Sequence, residues 1–351
     1  MSNGRSSQIS EARFVRRVVI VLALAGLAVV LWQLRQLLML VFGAVVIATI
    51  FRALADPIRR RLGLPDWLAL TAAILLIMAL IGTAFAAFGR EVGRQAERLA
   101  DSLPAAWRAL EARLGDLDLG QLSDVLPGPG DLVGLTSFAL SLGGTLATVL
   151  LVVAAAIYFA AQPNIYRRGL VLLVPKTGRE LVDEALGDSG RALAMWLRGQ
   201  VITMTAVGTL VGIGLWLLGM PSPLALGLLA GLLDFVPFLG PIAAAIPALL
   251  IAFSMDFELG LWTLALYVLV QQVEGNFLYP LVQRYAVGIP PGLLLFALLA
   301  AGLLFGVPGV FLGAPLTVVA YVLVKRLYVR EALQTPTEVP GEEPTGGKAA
   351  R

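Results

Sequence analysis

Residues 137–161 contain no charged side chain. An α-helix rises about 1.5 Å per residue, so a segment of this length can cross the roughly 30 Å hydrocarbon core of a bilayer. Gly144, Thr148 and other small residues within it have the spacing typical of close contacts between membrane helices. The segment therefore predicts a transmembrane helix, and it restricts the rest of the chain to folds that a bilayer permits.

The composition of the whole chain leads to the same class of protein. Hydrophobic residues make up 58% of the sequence and charged residues 14%, whereas about 25% of the residues of a soluble domain are charged. The absence of Cys and His excludes disulfides, thiol chemistry and imidazole sites. We expect an integral membrane protein whose partner is the lipid bilayer, with no metal, no cofactor and no catalytic site. Any proton chemistry is then left to carboxylates or lysine.

Basic residues lie in clusters beside the apolar segments, where they set orientation and give no reason to expect nucleic-acid binding. The clusters in 52–66, 163–200 and 325–351 are predicted to be cytoplasmic. The insert 89–135, with eight acids against five Arg, is predicted to be external. We therefore divide the chain into a cytoplasmic N-terminus (1–17), N-terminal transmembrane helices (18–88), an external helical insert (89–136), a transmembrane helix (137–161), a cytoplasmic amphipathic helix (162–200), a C-terminal transport core (201–329) and a disordered cytoplasmic tail (330–351).

The stretch from Gly227 to Pro247 combines apolar residues with one carboxylate, Asp234, and several helix-breaking residues. Pro237 and Pro241 each withhold a backbone donor and disfavour helix at the preceding residue. An unwound connection between two short helices is therefore predicted within this stretch. Irregular backbone at membrane depth survives only where it is buried in protein or lines a wet cavity. Secondary transporters bind their substrates and ions at such discontinuous helices.

A second interrupted region has the same spacing of glycine and proline. The pattern Gly-Leu-Leu-x-x-x-Pro occurs at Gly231–Pro237 and again at Gly302–Pro308. Paired interruptions of this kind indicate a transport site built between two related hairpins, although chance is a competing explanation. The predicted fold is all-α: a polytopic integral membrane protein of about eight transmembrane helices, with two Gly/Pro-interrupted hairpin regions that either span or re-enter.

Two carboxylates, Asp234 and Glu274, stand in apolar surroundings. A carboxylate at the bilayer centre costs on the order of 3 kcal/mol, so each needs a partner or a wet cavity. Both either line a path for a cation or a hydroxylated solute, or hydrogen-bond the unwound backbone. Gln200 is a path residue or an interfacial cap. The candidate path residues are Gln200, Asp234, Pro237, Gly240, Pro241, Gln271, Glu274 and Asn276.

These motifs resemble those of the autoinducer-2 exporter family of bacterial inner-membrane permeases, and the likeness runs from about Val18 to Val329. It rests on Trp196-Leu-Arg-Gly-Gln200, Leu218-Gly-Met-Pro221, the stretch 227–247, Gln271-Gln-Val-Glu-Gly-Asn276 with Pro280, Pro290-Pro291, and Leu304-Phe-Gly-Val-Pro-Gly-Val310 with Pro315.

The resemblance implies an all-helical permease of the cell inner membrane, assembled as a homo-oligomer, that exports an autoinducer-2-like signal molecule or exchanges sodium for protons. A small-molecule or ion substrate is therefore expected. At position 234 the family pattern admits Asp, Glu or Asn. The alternatives are an antiporter, a non-transporting envelope scaffold and an intramembrane enzyme. The enzyme would need a second deeply apolar acid or a Ser with a Lys, so we do not expect one.

The predicted orientation can be tested by labelling single cysteines, because the chain has none of its own. An impermeant thiol reagent added to intact cells should label Asp116→Cys in the external insert and spare Arg179→Cys in the cytoplasmic segment. The reverse pattern would show that the orientation is inverted.

Overall fold

The structure, a computed structural model, describes residues 18–83 apart from 20, 23, 24, 27 and 28, together with 86, 132–278 and 288–342. This described part consists of helices and the turns between them, without a strand. The all-α prediction is confirmed. The predicted N-terminus 1–17 and most of the predicted external insert, 89–131, lie outside the described residues.

Ten helices are labelled here in chain order. They are α1 (Arg35–Leu62), α2 (Asp66–Thr83), α3 (Leu132–Ala161), α4 (Pro163–Leu172), α5 (Arg179–Leu217), α6 (Pro223–Leu233), α7 (Leu239–Met255), α8 (Phe257–Val273), α9 (Pro291–Phe305) and α10 (Val307–Leu323). Turns of π-helix at Glu274–Leu278 and Val324–Ala332 continue α8 and α10.

Several of these helices are suited to a bilayer. Within the described residues, α1, α2, α5 and α10 with its π-helical extension are each long and apolar enough to cross a membrane. A fifth span is added if the part of α3 from Ala147 to Ala161 and α4, which meet at an angle of 89°, count as one. Three further helices, α6, α7 and α9, are apolar but shorter. The protein is thus a multi-pass membrane protein that contains both full-length and short apolar helices.

Local sequence signals explain where many of the helices begin and end. Proline stands in the first turn of α4, α6 and α9, where its missing N–H is not needed. Gly63 ends α1 in a left-handed conformation, and its N–H donates to the carbonyl of Arg59. Asp256 caps α8 by accepting a hydrogen bond of 3.1 Å from the N–H of Leu259.

The first three helices form one packed unit around small residues. Ala44, Ala48, Phe51, Ala55, Ala69, Leu70, Ala73, Ala156 and Ala160 share this core. Arg52 connects the helix ends, since its Nε donates to the carbonyl of Ala160 at 2.6 Å and its Nη1 contacts both carboxylate oxygens of Asp66 at 2.8 and 3.0 Å. The arginine therefore satisfies a carbonyl that the last turn of α3 would otherwise leave without a partner.

Helix α5 connects this unit to the C-terminal helices. It runs for 39 residues without interruption, about 58 Å at 1.5 Å per residue, so it extends well beyond the hydrocarbon core. It packs against α1, α4, α6, α8 and α10. Within the predicted amphipathic segment 162–200, residues 180–200 are helical, and Ala185, Ser189 and Leu193 are buried within the protein.

Helices α5 and α6 cross at four glycines. A Cβ added to Gly227 would lie 2.6 Å from both the carbonyl oxygen of Gly208 and the Cα of Gly212. A Cβ on Gly231 would lie 2.6 Å from the carbonyl oxygen of Met204. The two backbones therefore touch directly, which is the geometry that paired small residues four apart allow between membrane helices.

The expectation that residues 330–351 are disordered is wrong for 330–342. Val339 is buried, and Arg330 donates to the carboxylate of Glu342 and to the carbonyl of Thr337. The composition of this segment suggested disorder because it offers little apolar surface. Docking depends instead on one valine and on charges supplied by α5 and by the π-helical end of α10. Residues 343–351 lie outside the described residues.

The glycine crossing can be tested with Gly227→Ala. Alanine forms helix better than glycine by about 1 kcal/mol, so the change would stabilise the protein if there were room. Because the added Cβ meets backbone that can yield only if the helices separate, we expect the free energy of unfolding to fall by about 1–3 kcal/mol. Thermal unfolding of the purified protein in detergent measures the change.

The matched control is Gly190→Ala, in the same helix as Gly208, where nothing lies within 4 Å of an added Cβ. That variant should be as stable as the starting protein or more so. Equal stability of Gly227→Ala and Gly190→Ala would contradict the close crossing.

Candidate transport site

The first predicted interruption is present. Helix α6 ends at Leu233 and α7 begins at Leu239. Between them the N–H of Asp234 still bonds the carbonyl of Ala230, whereas the N–H of Val236 bonds that of Leu233 in a tighter turn. We refer to residues 234–238 as the break. The proline at 237 explains it, because proline lacks the donor that would continue the helix.

Phe238 adopts a strained conformation at the end of the break. Its φ is 67° and its ψ is −45°, and the N–H of Leu239 donates to the carbonyl of Pro237 at 2.8 Å. This is a γ-turn with a positive φ at its central residue, which is rare and unfavourable for a residue other than glycine. Such strain persists only where the surrounding structure holds the backbone in place.

Gly240 lies in the first turn of α7, immediately against α6. A Cβ on Gly240 would overlap the carbonyl oxygen of Leu233 and would lie 2.9 Å from the Cα of Asp234. Pro237 and Pro241 flank it and are half-buried. The glycine therefore allows the second helix to fold back closely onto the end of the first.

Gln200 contacts the break directly. Its Nε2 donates to the backbone carbonyl of Asp234 at 2.7 Å. Gln200 lies within the continuous helix α5, and its contact caps the C-terminal end of α6, where Asp234 is the capping residue. The side chain supplies a donor to backbone that the interruption of α6 has released from regular helical bonding, and it links α5 to the break.

Asp234 is the most deeply buried carboxylate of the described residues, with 1% of its surface exposed. Neither of its carboxylate oxygens has a hydrogen-bond partner among those residues. Glu274 lies close enough for its carboxyl group to interact electrostatically with that of Asp234. Leaving a buried carboxylate unpaired costs several kcal/mol, so a proton, a cation or a hydrogen-bond donor placed beside Asp234 would be stabilised.

The polar residues at the end of α8 and in the π-helical turn that follows it form two separate pairs. Gln271 donates from Nε2 to Oε2 of Glu274 at 3.0 Å, so it orients that carboxylate. Asn276 instead donates to the backbone carbonyl and the side-chain oxygen of Gln272, at 3.0 and 3.1 Å. Glu274 begins the π-helical turn, and single π-turns occur often at functional sites. The structure therefore joins Gln271 to Glu274, whereas Asn276 is paired with Gln272 and not with Glu274.

The second interruption is also present, between α9 and α10 at Gly306. Its φ of 68° and ψ of −146° lie in a region that only glycine enters readily. Gly309 repeats the role of Gly240, because a Cβ there would overlap the carbonyl oxygen of Ala301 in the preceding helix. Phe235 of the break and Leu312 of α10 both pack against one core cluster, which consists of Val46, Leu193 and Leu197.

Similarity to known proteins shows the family of this chain. The sequence profile described as AI-2E family transporter matches residues 20–328. The chain belongs to this family of transporters. It is 24% identical over 268 residues to the AI-2 transport protein TqsA of Escherichia coli, a match covering 72% of this chain and 74% of TqsA.

Two Bacillus subtilis relatives of this AI-2E family transporter, YrrI and YueF, are named as candidate transport proteins. Identity to YrrI is 32% over 166 residues, which is 47% of each chain. Identity to YueF is 30% over 159 residues, covering 45% of this chain and 42% of YueF. The chain thus spans about half the length of these two relatives.

Three features of the candidate site and the helices around it escaped the sequence analysis. Phe238 has no signal beyond its place between a proline and a glycine. Thr263 is fully buried on α8, and its hydroxyl has no partner among the described residues. The ring of Trp196 packs edge-on against that of Phe235, with centroids 6.1 Å apart. Within the same residues, no cluster of three or more acidic side chains could hold a metal ion.

The fold-back at the break can be tested with Gly240→Val. A valine Cβ would overlap the carbonyl of Leu233, so α7 would have to move away from α6, and transport should fall below detection while the protein still inserts. Flux in proteoliposomes measures this. Gly292→Val, at the start of α9 where an added Cβ meets nothing within 4 Å, is the control. Full flux in Gly240→Val would mean that the close contact is not needed for transport.

Proposed function

We propose that the protein is a secondary transporter of the bacterial inner membrane that moves a small polar solute or a cation through the Asp234 break. The observation that carries this proposal is the pair of oxygens on Asp234, which are buried yet unpartnered among the described residues. A fold does not retain such an arrangement for stability, because a neutral residue of similar size would be less costly there. A bound substrate or ion would supply the missing partner.

The position of the carboxylate supports a transport role. It lies at the junction of two short apolar helices, where released backbone groups and a single charge can both contact a ligand, as in other transporters with broken helices. Family membership supports transport in general. The name of TqsA concerns that protein's own substrate, so an autoinducer-2-like molecule is one candidate for this chain.

A cation, as in a sodium/proton-type antiporter, is the second candidate. It is favoured by the electrostatic proximity of Asp234 and Glu274. Two interacting carboxylates in a medium of low dielectric repel each other when both are charged, and a bound cation would reduce that repulsion. An uncharged hydroxylated solute would instead need only hydrogen-bond acceptors.

Neutral isosteres of the two carboxylates distinguish these candidates. If a cation or a proton is carried, Glu274→Gln and Asp234→Asn should each reduce gradient-driven flux by more than about tenfold, which corresponds to a loss of about 1.4 kcal/mol at the site. If the solute is uncharged, both amides still offer an acceptor and most of the flux should remain. Flux is measured in proteoliposomes with imposed proton and sodium gradients.

The matched controls are Glu258→Gln and Asp256→Asn, the same substitutions on exposed residues at the start of α8. Both should transport normally. A double variant, Asp234→Asn with Glu274→Gln, that is no worse than the poorer single variant would indicate one shared site, because residues acting together are not additive. Absence of flux in the unmodified protein under every gradient would favour a scaffold.

A further inference from the structure

The segment after α10 turns back onto the helices that precede it. We refer to residues 335–342 as the C-terminal strap. Along the strap, Nζ of Lys325 donates to the carbonyl of Glu338 at 3.1 Å, and Nε of Arg191 donates to the carbonyl of Gly341 at 2.6 Å. Because its carbonyls are held by side chains from both α5 and the end of α10, the strap joins two elements that are far apart in sequence.

Val339 anchors the strap in an apolar site. Only 5% of its surface is exposed, and it shares a core with Ala192 of α5, with Ile289 and two leucines at the start of α9, and with three residues of α10. A single side chain of the strap therefore belongs to one core with residues of α5 and of both helices of the second interrupted hairpin.

Gly341 makes the closest contact of the strap with α5. Its φ is 85°, and a Cβ there would overlap the carbonyl oxygen of Asp188 and lie 2.8 Å from the backbone nitrogen of Ala192. Both the positive φ and the approach to backbone exclude any residue with a side chain. The strap therefore packs closely on α5 at Gly341. A loosely attached tail would not need a glycine there.

Charged groups complete the docking. The carboxylate of Glu342 accepts from Arg326 at 3.1 Å and from Arg330 at 2.6 Å. Arg326 also pairs with Glu184 and Asp188 on α5. The hydrogen bond from Arg330 lowers the pKa of Glu342 below its ordinary value. The stabilisation from this pairing is therefore fully present at neutral pH and is lost only as the pH falls through that lowered pKa.

The strap is linked to the break through one aromatic residue. Trp196 packs against the core that contains Val339 and also against the core that contains Phe235. Phe235 follows Asp234 directly in the break. A continuous set of packed side chains therefore connects the strap with the candidate transport site, and it provides a route along which a displacement of α5 or α10 would be passed to the break.

We propose that the C-terminal strap is a latch: while docked, it pins α9 and α10 to α5 and holds the break in the conformation seen here, and its release allows the break to open. The inference goes beyond the proposed function and does not depend on which solute is carried. The strap acts as an internal restraint on the transport site, and the chain's own C-terminal segment supplies it.

The test uses the full chain in lipid nanodiscs and needs no substrate. Glu342→Gln removes the charge that Arg326 and Arg330 bind, and Gly341→Val blocks the approach to α5. Release of the strap is followed by maleimide labelling of Val339→Cys, the single cysteine of the chain. Opening of the break is followed by hydrogen exchange of the amides of residues 234–240, with residues 44–55 of α1 as an internal reference.

In both strap variants we expect labelling at position 339 and exchange at 234–240 to become faster by at least about tenfold, as in a local opening, with exchange at 44–55 unchanged. The control Glu338→Gln removes a charge from an exposed side chain of the same segment and should change none of these rates.

Three results would overturn the latch. Faster labelling at 339 with unchanged exchange at 234–240 would reduce the strap to a passive anchor. Faster exchange at 44–55 as well would make the strap a general requirement of the fold. Labelling of Val339→Cys in the otherwise unmodified chain as fast as at the exposed position Gln334→Cys would show that the strap is not docked.

Discussion

The direct contact of the α5 and α6 backbones is the interaction on which the rest of the C-terminal half depends. Lipid tails are as apolar as leucine, so hydrophobicity alone does not bring membrane helices together, and close van der Waals packing must do so. Glycines at 208, 212, 227 and 231 provide that packing. Helix α6 is only 11 residues long, too short to cross about 30 Å by itself, and it is held at its place by a helix more than three times its length.

The break follows from this arrangement. Because α6 lies flush against α5, the chain that leaves its end at Leu233 emerges beside Gln200, which supplies a donor to the carbonyl of Asp234. A crossing lined by glycine has few interlocking side chains to fix how far one helix has slid along the other. The hydrogen bond from Gln200 and the contact of Trp196 with Phe235 supply that register. The strained turn at Phe238 is held between these contacts and the close packing of Gly240 on α6.

Much of this could be predicted from the sequence, and the exceptions have physical reasons. Proline and glycine act through local backbone geometry, so the breaks at Pro237 and Gly306 could be read from their neighbours. The burial of Asp234 also followed from its apolar surroundings. Gln200 and Asp234 are 34 positions apart in sequence. Their contact depends on the register of α5 against α6, which no local pattern encodes. The docking of Val339 was missed for the same reason: a polar segment with one valine becomes ordered only because a preformed site elsewhere accepts it.

The two ends of α5 place different demands on the same helix. Its membrane half carries the glycines and must have no side chains where it contacts α6. Its other half carries Asp188, Arg191 and Glu184, and it binds the end of α10 and the strap through charges. Trp196 lies between these halves and packs toward both. Since the helix is unbroken over 39 residues, it cannot absorb a displacement at one end by bending at a hinge. A shift imposed at the strap would therefore be carried along α5, and the neighbouring places without a continuous helix to resist it are the break at 234–238 and the glycine connection between α9 and α10.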